Sequence, residues 1–210
     1  FSFMKTRLIY FFFIPASIFS SCKAQNKTRS TECIKLNNIA TDTLQKYPLN
    51  GEKGLLNAIA LFRQALICDS TNSLTYLNLA LAYDYKRDYT QELKTINKAL
   101  QLTLNTPSVL LEKGMVFEKL NQKDSASKVY KVARTKFSDS LRLHPNDRNI
   151  ISGLLTVLAL TEGKNSALKE LDRLIAANPG LKSELGYEYF FYRNFDKKAY
   201  MYHLSGDLKR

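Results

Sequence analysis

Tyr76-Leu77-Asn78-Leu79-Ala80-Leu81-Ala82-Tyr83, with Ile96-Asn97-Lys98-Ala99 behind it, is the stretch that decides the fold of this chain. Ala99 stands midway between two counterparts, Ala65 and Ala133, so the three alanines are evenly spaced along the sequence. Ala58-Phe62-Ala65 and Ala126-Tyr130-Ala133 lie at i, i+4, i+7, and Ile96-Ala99 repeats the last two of those positions. Each set is one stripe of an amphipathic helix. A second kind of stripe precedes them: Tyr76-Leu79-Ala80-Tyr83 in one unit and Leu110-Gly114-Phe117 in the next. Self-similarity at a fixed period marks stacked units that share a continuous core. Only 8 glycines and 5 prolines occur in 210 residues, which favours helix over sheet.

Paired helices repeating with a period of roughly 34 residues resemble the tetratricopeptide (TPR) family. Tyr76, Leu79, Ala80 and Tyr83 match the large, Leu, small and aromatic positions of that family's first helix; Leu110, Gly114 and Phe117 match three, with Lys113 out of pattern. Ala126-Tyr130-Ala133 matches its second helix throughout, whereas Glu92 stands where the second unit should have a small residue. The resemblance implies an all-α, right-handed α-solenoid of about four helix pairs over residues 32–180, plus a C-terminal capping helix. Ala80 and Gly114 are expected to let the facing helix approach closely.

A fourth unit reads Ile151-Leu154-Leu158, then Ala167-Leu171-Leu174, ending at Pro179. Leu174 falls seven positions later than the even spacing of the alanines would place it. An insertion of that length is about two helical turns, and Ala133, Phe137 and Leu141 carry the stripe across it. The helix starting near Asp124 should therefore run two turns longer with the same face inward. Leu155 at the small-residue position predicts a splayed fourth pair. Thr106-Pro107 is a helix start, and Asp124 and Asn146 are candidate caps. The turn glycine of the family is missing between Lys86 and Asp88 and between Asn121 and Lys123. The first pair fits less well: a helix over 32–46, then a long turn at Pro48-Leu49-Asn50-Gly51.

Residues 181–210 are different in kind. Eight aromatic residues between Tyr187 and Tyr202 crowd into one span. A terminal repeat exposes an apolar face that needs covering, so a capping helix with an aromatic face is expected. An exposed aromatic docking patch for a protein or glycan is the other reading.

The amino-terminal end reads Met4-Lys5-Thr6-Arg7, an apolar run from Leu8 to Phe19, then Ser20-Ser21-Cys22. A basic start, an apolar run of about a dozen residues and a small-residue exit make a secretory signal. The run falls short of the roughly 20 residues that span a bilayer. Phe1-Ser2-Phe3 ahead of Met4 look like an over-extended reading frame. With a cysteine directly after the small pair, residues 1–21 resemble a bacterial lipoprotein signal peptide. That resemblance implies cleavage before Cys22, diacylglyceryl on its thiol and an acyl chain such as palmitate on its amine. Lys23 in the next position implies an outer-membrane destination. An ordinary signal with an incidental Cys22, or an uncleaved anchor, is the alternative. Residues 22–31 lack apolar periodicity and read as a lipidated tether.

Loss of residues 1–21 lowers the formal charge from +12 to +10. An exported chain has little access to nucleic acid, so none is expected as a partner. Anionic headgroups, acidic glycans or an acidic protein could meet this charge, or it is a solvated surface. Cys33 and Cys68 remain beside Cys22. They fall at the same end of an antiparallel pair, so they could form a disulfide or stay as two buried thiols. Neither has metal-type spacing, and His144 and His203 have no clustered partners; no metal or cofactor is expected. No nucleophile elbow, phosphate loop or HExxH is present, and an enzyme is not expected.

The family binds partners in a groove lined by the first helix of each pair. By resemblance, the groove positions fall on Leu77, Leu81, Asp84 and Tyr85; on Leu111, Met115, Glu118 and Lys119; and on Ser152, Thr156 and Ala159. Leu77 and Leu81 could equally pack against neighbouring helices. Lys119 is the sole basic groove residue, too little for the carboxylate clamp some members use. A mixed apolar groove suits a peptide or amphipathic helix. The expectation is a lipid-anchored TPR adaptor in the bacterial cell envelope. The alternative is an envelope lipoprotein that captures a glycan or anionic polymer through its basic surface and aromatic C-terminal segment.

Overall fold

The computed structural model describes the backbone of residues 17–204 and the side chains of residues 31–201 apart from Pro48. The expected signal peptide lies mostly outside the described residues. Among those described there are helices and no strand: α1 (Ser17–Gln45), α2 (Tyr47–Cys68), α3 (Ser73–Tyr85), α4 (Tyr89–Leu102), α5 (Pro107–Lys119), α6 (Lys123–Leu143), α7 (Arg148–Glu162) and α8 (Lys164–Ala177). Three short ones follow: α9 (Leu181–Glu184), α10 (Gly186–Arg193) and α11 (Lys197–Leu204). Each of α1 to α8 packs on its sequence neighbours, giving four antiparallel pairs stacked into an all-α, TPR-like solenoid. No described helix is long and apolar enough to cross a membrane.

The alanine stripes are buried as their spacing demands. Ala58, Ala65, Ala99, Ala126 and Ala133 are almost without solvent contact, as are Phe62, Ile96 and Tyr130. The glycine of the third unit is required by space: a Cβ on Gly114 would sit 2.3 Å from the Tyr130 ring. Helix α6 has the expected two extra turns, with Phe137 and Leu141 buried. Their partner is Gly153 of α7, where a Cβ would meet the Phe137 ring at 2.3 Å. The close approach has thus moved from the Leu155 position to Gly153 and from α8 to α6. Leu155 is itself buried, and α7 meets α8 less extensively than α3 meets α4 or α5 meets α6.

The two turns that lack glycine keep a left-handed shape. Arg87 and Asn121 have φ of 60° and 58°. Asp88 N–H donates to the Tyr83 carbonyl and Gln122 N–H to that of Phe117, the long bond of a Schellman closure. Asn72 and Asp88 accept from Thr75 N–H and Gln91 N–H and so cap α3 and α4. Two caps differ from expectation. Asp147, not Asn146, caps α7; the Asn146 amide oxygen accepts instead from Asn178 at the end of α8, at 2.8 Å. Asp124 lies inside the first turn of α6, and Gln122 holds the cap position. Thr106 does precede Pro107 at the start of α5, but its hydroxyl makes no capping bond.

Three segments depart from the sequence reading. The expected tether over 22–31 is helical, as part of α1, consistent with the absence of any glycine or proline from 16 to 47. The turn at 48–51 is absorbed into α2, with one break at Gly51, whose φ of 60° suits glycine. The single capping helix is three helices. Asp196 starts α11 by accepting from Ala199 N–H at 2.6 Å, and Asn194 ends α10.

Candidate functional site

The first helices of the second, third and fourth pairs, α3, α5 and α7, carry the expected groove positions. Five of these come together around a cavity of about 290 Å³ between α3, α4 and α5: Leu77, Leu81, Asp84, Met115 and Lys119. Leu81 is largely exposed, and Leu77 and Met115 are half-buried. Ala80 and Ile96 complete the apolar wall.

The floor is ionic. Lys119 Nζ lies 2.5 Å from Asp84 Oδ1 and 3.4 Å from Glu92 Oε1, and its side chain is only 7% exposed. The ammonium also lies 5.5 Å from the centre of the Tyr89 ring. It is therefore committed to internal partners and is not free to take a carboxylate. Burial raises the Asp84 pKa, against the hydrogen bond and charge of Lys119. Burial pushes Glu92 up to about 8, with Lys119 opposing and Asp84 reinforcing.

Glu92 and Glu112 line the cavity but were not expected there. Glu92 had a visible signal, an acid at a small-residue position. Glu112 stands on the exposed side of α5 and belongs to no periodic set.

The remaining groove positions are elsewhere. Tyr85 stacks on Tyr47 at 5.5 Å between ring centres. Leu111 is buried in the core. Glu118 pairs with Lys197 at 2.7 Å, and Lys197 also donates to the Leu160 carbonyl at 2.9 Å. Ser152, Thr156 and Ala159 face the C-terminal segment. The Tyr192 hydroxyl lies 2.8 Å from Thr156 Oγ1 and donates to the Ser152 carbonyl at 3.0 Å, while Ala159 is fully buried. Arg148 donates to Glu188 of α10 through one guanidinium edge, Nε to Oε1 at 2.9 Å and Nη2 to Oε2 at 3.3 Å. The groove is thus open over the second and third pairs and covered over the fourth.

The aromatic segment divides in two. Tyr192 and Phe195 are buried, and Phe191 packs edge-on to Tyr192 at 4.9 Å and to Phe195 at 5.8 Å. Tyr187 and Phe190 are 66% and 70% exposed on the outer side. Capping and an exposed aromatic face therefore coexist. At the opposite end of the array, Cys33 and Cys68 are joined by a disulfide with Cα atoms 5.4 Å apart, tying α1 to the end of α2. Among the described residues, no group of three or more His, Cys, Asp or Glu is placed to hold a metal ion.

No family model matches the chain, and no curated protein does. Among solved structures it is similar to YrrB, described as a TPR protein with an unusual peptide-binding site. That similarity has a TM-score of 0.46 and 22% identity over 90% of this chain and 91% of that one. It is also similar to MamA, with a TM-score of 0.48 and 15% identity over 80% and 87% of the two chains. Neither likeness bears on what this chain binds.

Proposed function

We propose that this chain is a non-enzymatic adaptor that holds a segment of a partner protein in the open groove over its second and third helix pairs. The observation that carries the reading is the α3–α4–α5 cavity, walled by Leu77, Leu81 and Met115 on the face that the fourth pair has closed. An apolar cleft of this size with a few placed polar groups suits the side chains of a docked peptide or helix.

In the same reading, Cys22 carries the lipid and holds the domain in the bacterial envelope, at the outer membrane. The disulfide supports an oxidising compartment. The turns α2–α3, α4–α5 and α6–α7 share the edge from which the amino-terminal part of α1 emerges. They carry the exposed side chains Ile67, Leu104 and Leu143. An apolar fringe on that edge suits a domain held against a bilayer.

Affinity purification of the lipidated chain from envelopes tests the adaptor. A protein should co-purify at stoichiometric level and be lost with Leu81→Glu; absence of any such protein sinks the reading. Palmitate should label the wild-type chain and not Cys22→Ala, and equal labelling would remove the anchor. A second reading, capture of a glycan or anionic polymer, is favoured by exposed Tyr187 and Phe190. Charge-led capture should collapse as salt rises, while groove-led protein binding should persist.

A further inference from the structure

The open cavity carries more acid than its one base can balance. Asp84, Glu92 and Glu112 line it against the single ammonium of Lys119. Glu92 is only 5% exposed; its Oε1 meets Lys119, and its Oε2 has no hydrogen-bond partner. An incompletely paired buried carboxylate is costly, and sites that keep one against local stability are where function is expected. The cost is more notable in a chain whose formal charge is +12. Burial raises the Glu92 pKa, a cost that a positive charge brought into the cavity would relieve.

Above the ionic floor the walls are aliphatic: Leu77, Leu81 and Met115. An apolar throat over an acidic floor complements a side chain with a long aliphatic stem and a cationic head, the build of lysine and arginine. The volume, about 290 Å³, admits one such side chain rather than a folded element.

We propose that this cavity takes a lysine or arginine side chain of the partner segment, its stem against Leu77, Leu81 and Met115 and its head toward Glu92, Asp84 and Glu112. The assignment rests on the adaptor reading above and has the opposite polarity to a carboxylate clamp, because Lys119 is consumed internally.

The test follows the Met115 methyl resonance in the full chain while four small probes are titrated. They are the Nα-acetyl amides of arginine, lysine, citrulline and glutamate. The two cations should produce a saturable shift. Neutral citrulline, nearly isosteric with arginine, should bind at least tenfold more weakly, and glutamate weaker still. Glu92→Gln should weaken arginine about tenfold. Glu112→Gln, at the exposed rim of the cavity, should weaken it severalfold and keeps the test decisive if Glu92→Gln folds poorly. Equal binding of citrulline and arginine, tighter binding of glutamate, or no saturable shift with any probe overturns the inference. A silent cavity with a partner that still co-purifies removes only the cation. A saturable arginine site with no co-purifying protein removes the adaptor instead.

Discussion

The second and third helix pairs and the fourth present groove residues at equivalent positions, yet one stretch is an open cavity and the other is filled. Leu77, Leu81 and Met115 look onto free space. The Thr156 hydroxyl and the Ser152 carbonyl are engaged by the Tyr192 hydroxyl, and Ala159 is buried. Repeat register decides which face a residue is on. What covers that face depends on what the chain does afterwards, and here α10 packs on α8 and reaches α7 through Tyr192 and Glu188. A terminal unit has no following repeat, so its inner face is the place where a cap has to sit.

Mutations can break or sharpen this contrast. The largest effect should come from the closed half. Tyr192→Ala removes a fully buried ring and both of its hydroxyl contacts, and should cost about 3–5 kcal/mol in denaturant unfolding. It should also leave binding at the open cavity intact in molecules that remain folded. At the open end of the array, replacing both Cys33 and Cys68 by Ser removes a cross-link of sequence separation 35. The expected loss is about 4 kcal/mol on a chain-entropy basis; a melt unchanged by reduction would contradict it.

The ionic floor separates the halves by pH. Glu92 has its pKa raised from 4.5 to about 8 in the folded chain, so the folded state holds a proton that the unfolded state has released across that interval. Stability should therefore fall as pH rises from about 5 to 8, with a slope of at most ~1.4 kcal/mol per pH unit. Glu92→Gln should flatten the profile, whereas Tyr192→Ala should shift it down without changing its slope. The smallest stability effect belongs to the open wall. Leu81 is largely exposed, so Leu81→Ser should change unfolding free energy by no more than about 0.5 kcal/mol while weakening partner capture. A large loss of stability would mean that Leu81 is a packing residue and that this half is not open.

Much of the fold was legible because it is carried by periodic residues. The even spacing of Ala65, Ala99 and Ala133 marked the pairs, and Phe137 with Leu141 marked the two extra turns of α6. The left-handed turns were not legible. Arg87 and Asn121 adopt positive φ without being glycine, held by closures to Tyr83 and Phe117. The C-terminal segment showed its aromatic content, but composition does not reveal that Tyr192 points inward and Phe190 outward; the α8–α10 packing decides it. At the site, the resemblance had named Leu77, Leu81, Asp84, Met115 and Lys119, which line one cavity. Glu92 was visible only as an exception to the pattern, because its burial depends on Lys119, which lies on another helix.

The central claim is that a partner protein lies over the second and third pairs and not over the fourth. Photoreactive side chains at positions 81, 115, 152 and 132 of the lipidated chain, irradiated in intact envelopes, test it directly. Positions 81 and 115 should cross-link one common protein, while 152, under Tyr192, and 132, on the exposed face of α6, should not. Cross-linking of that protein from 152 or 132 as strongly as from 81 would contradict the account.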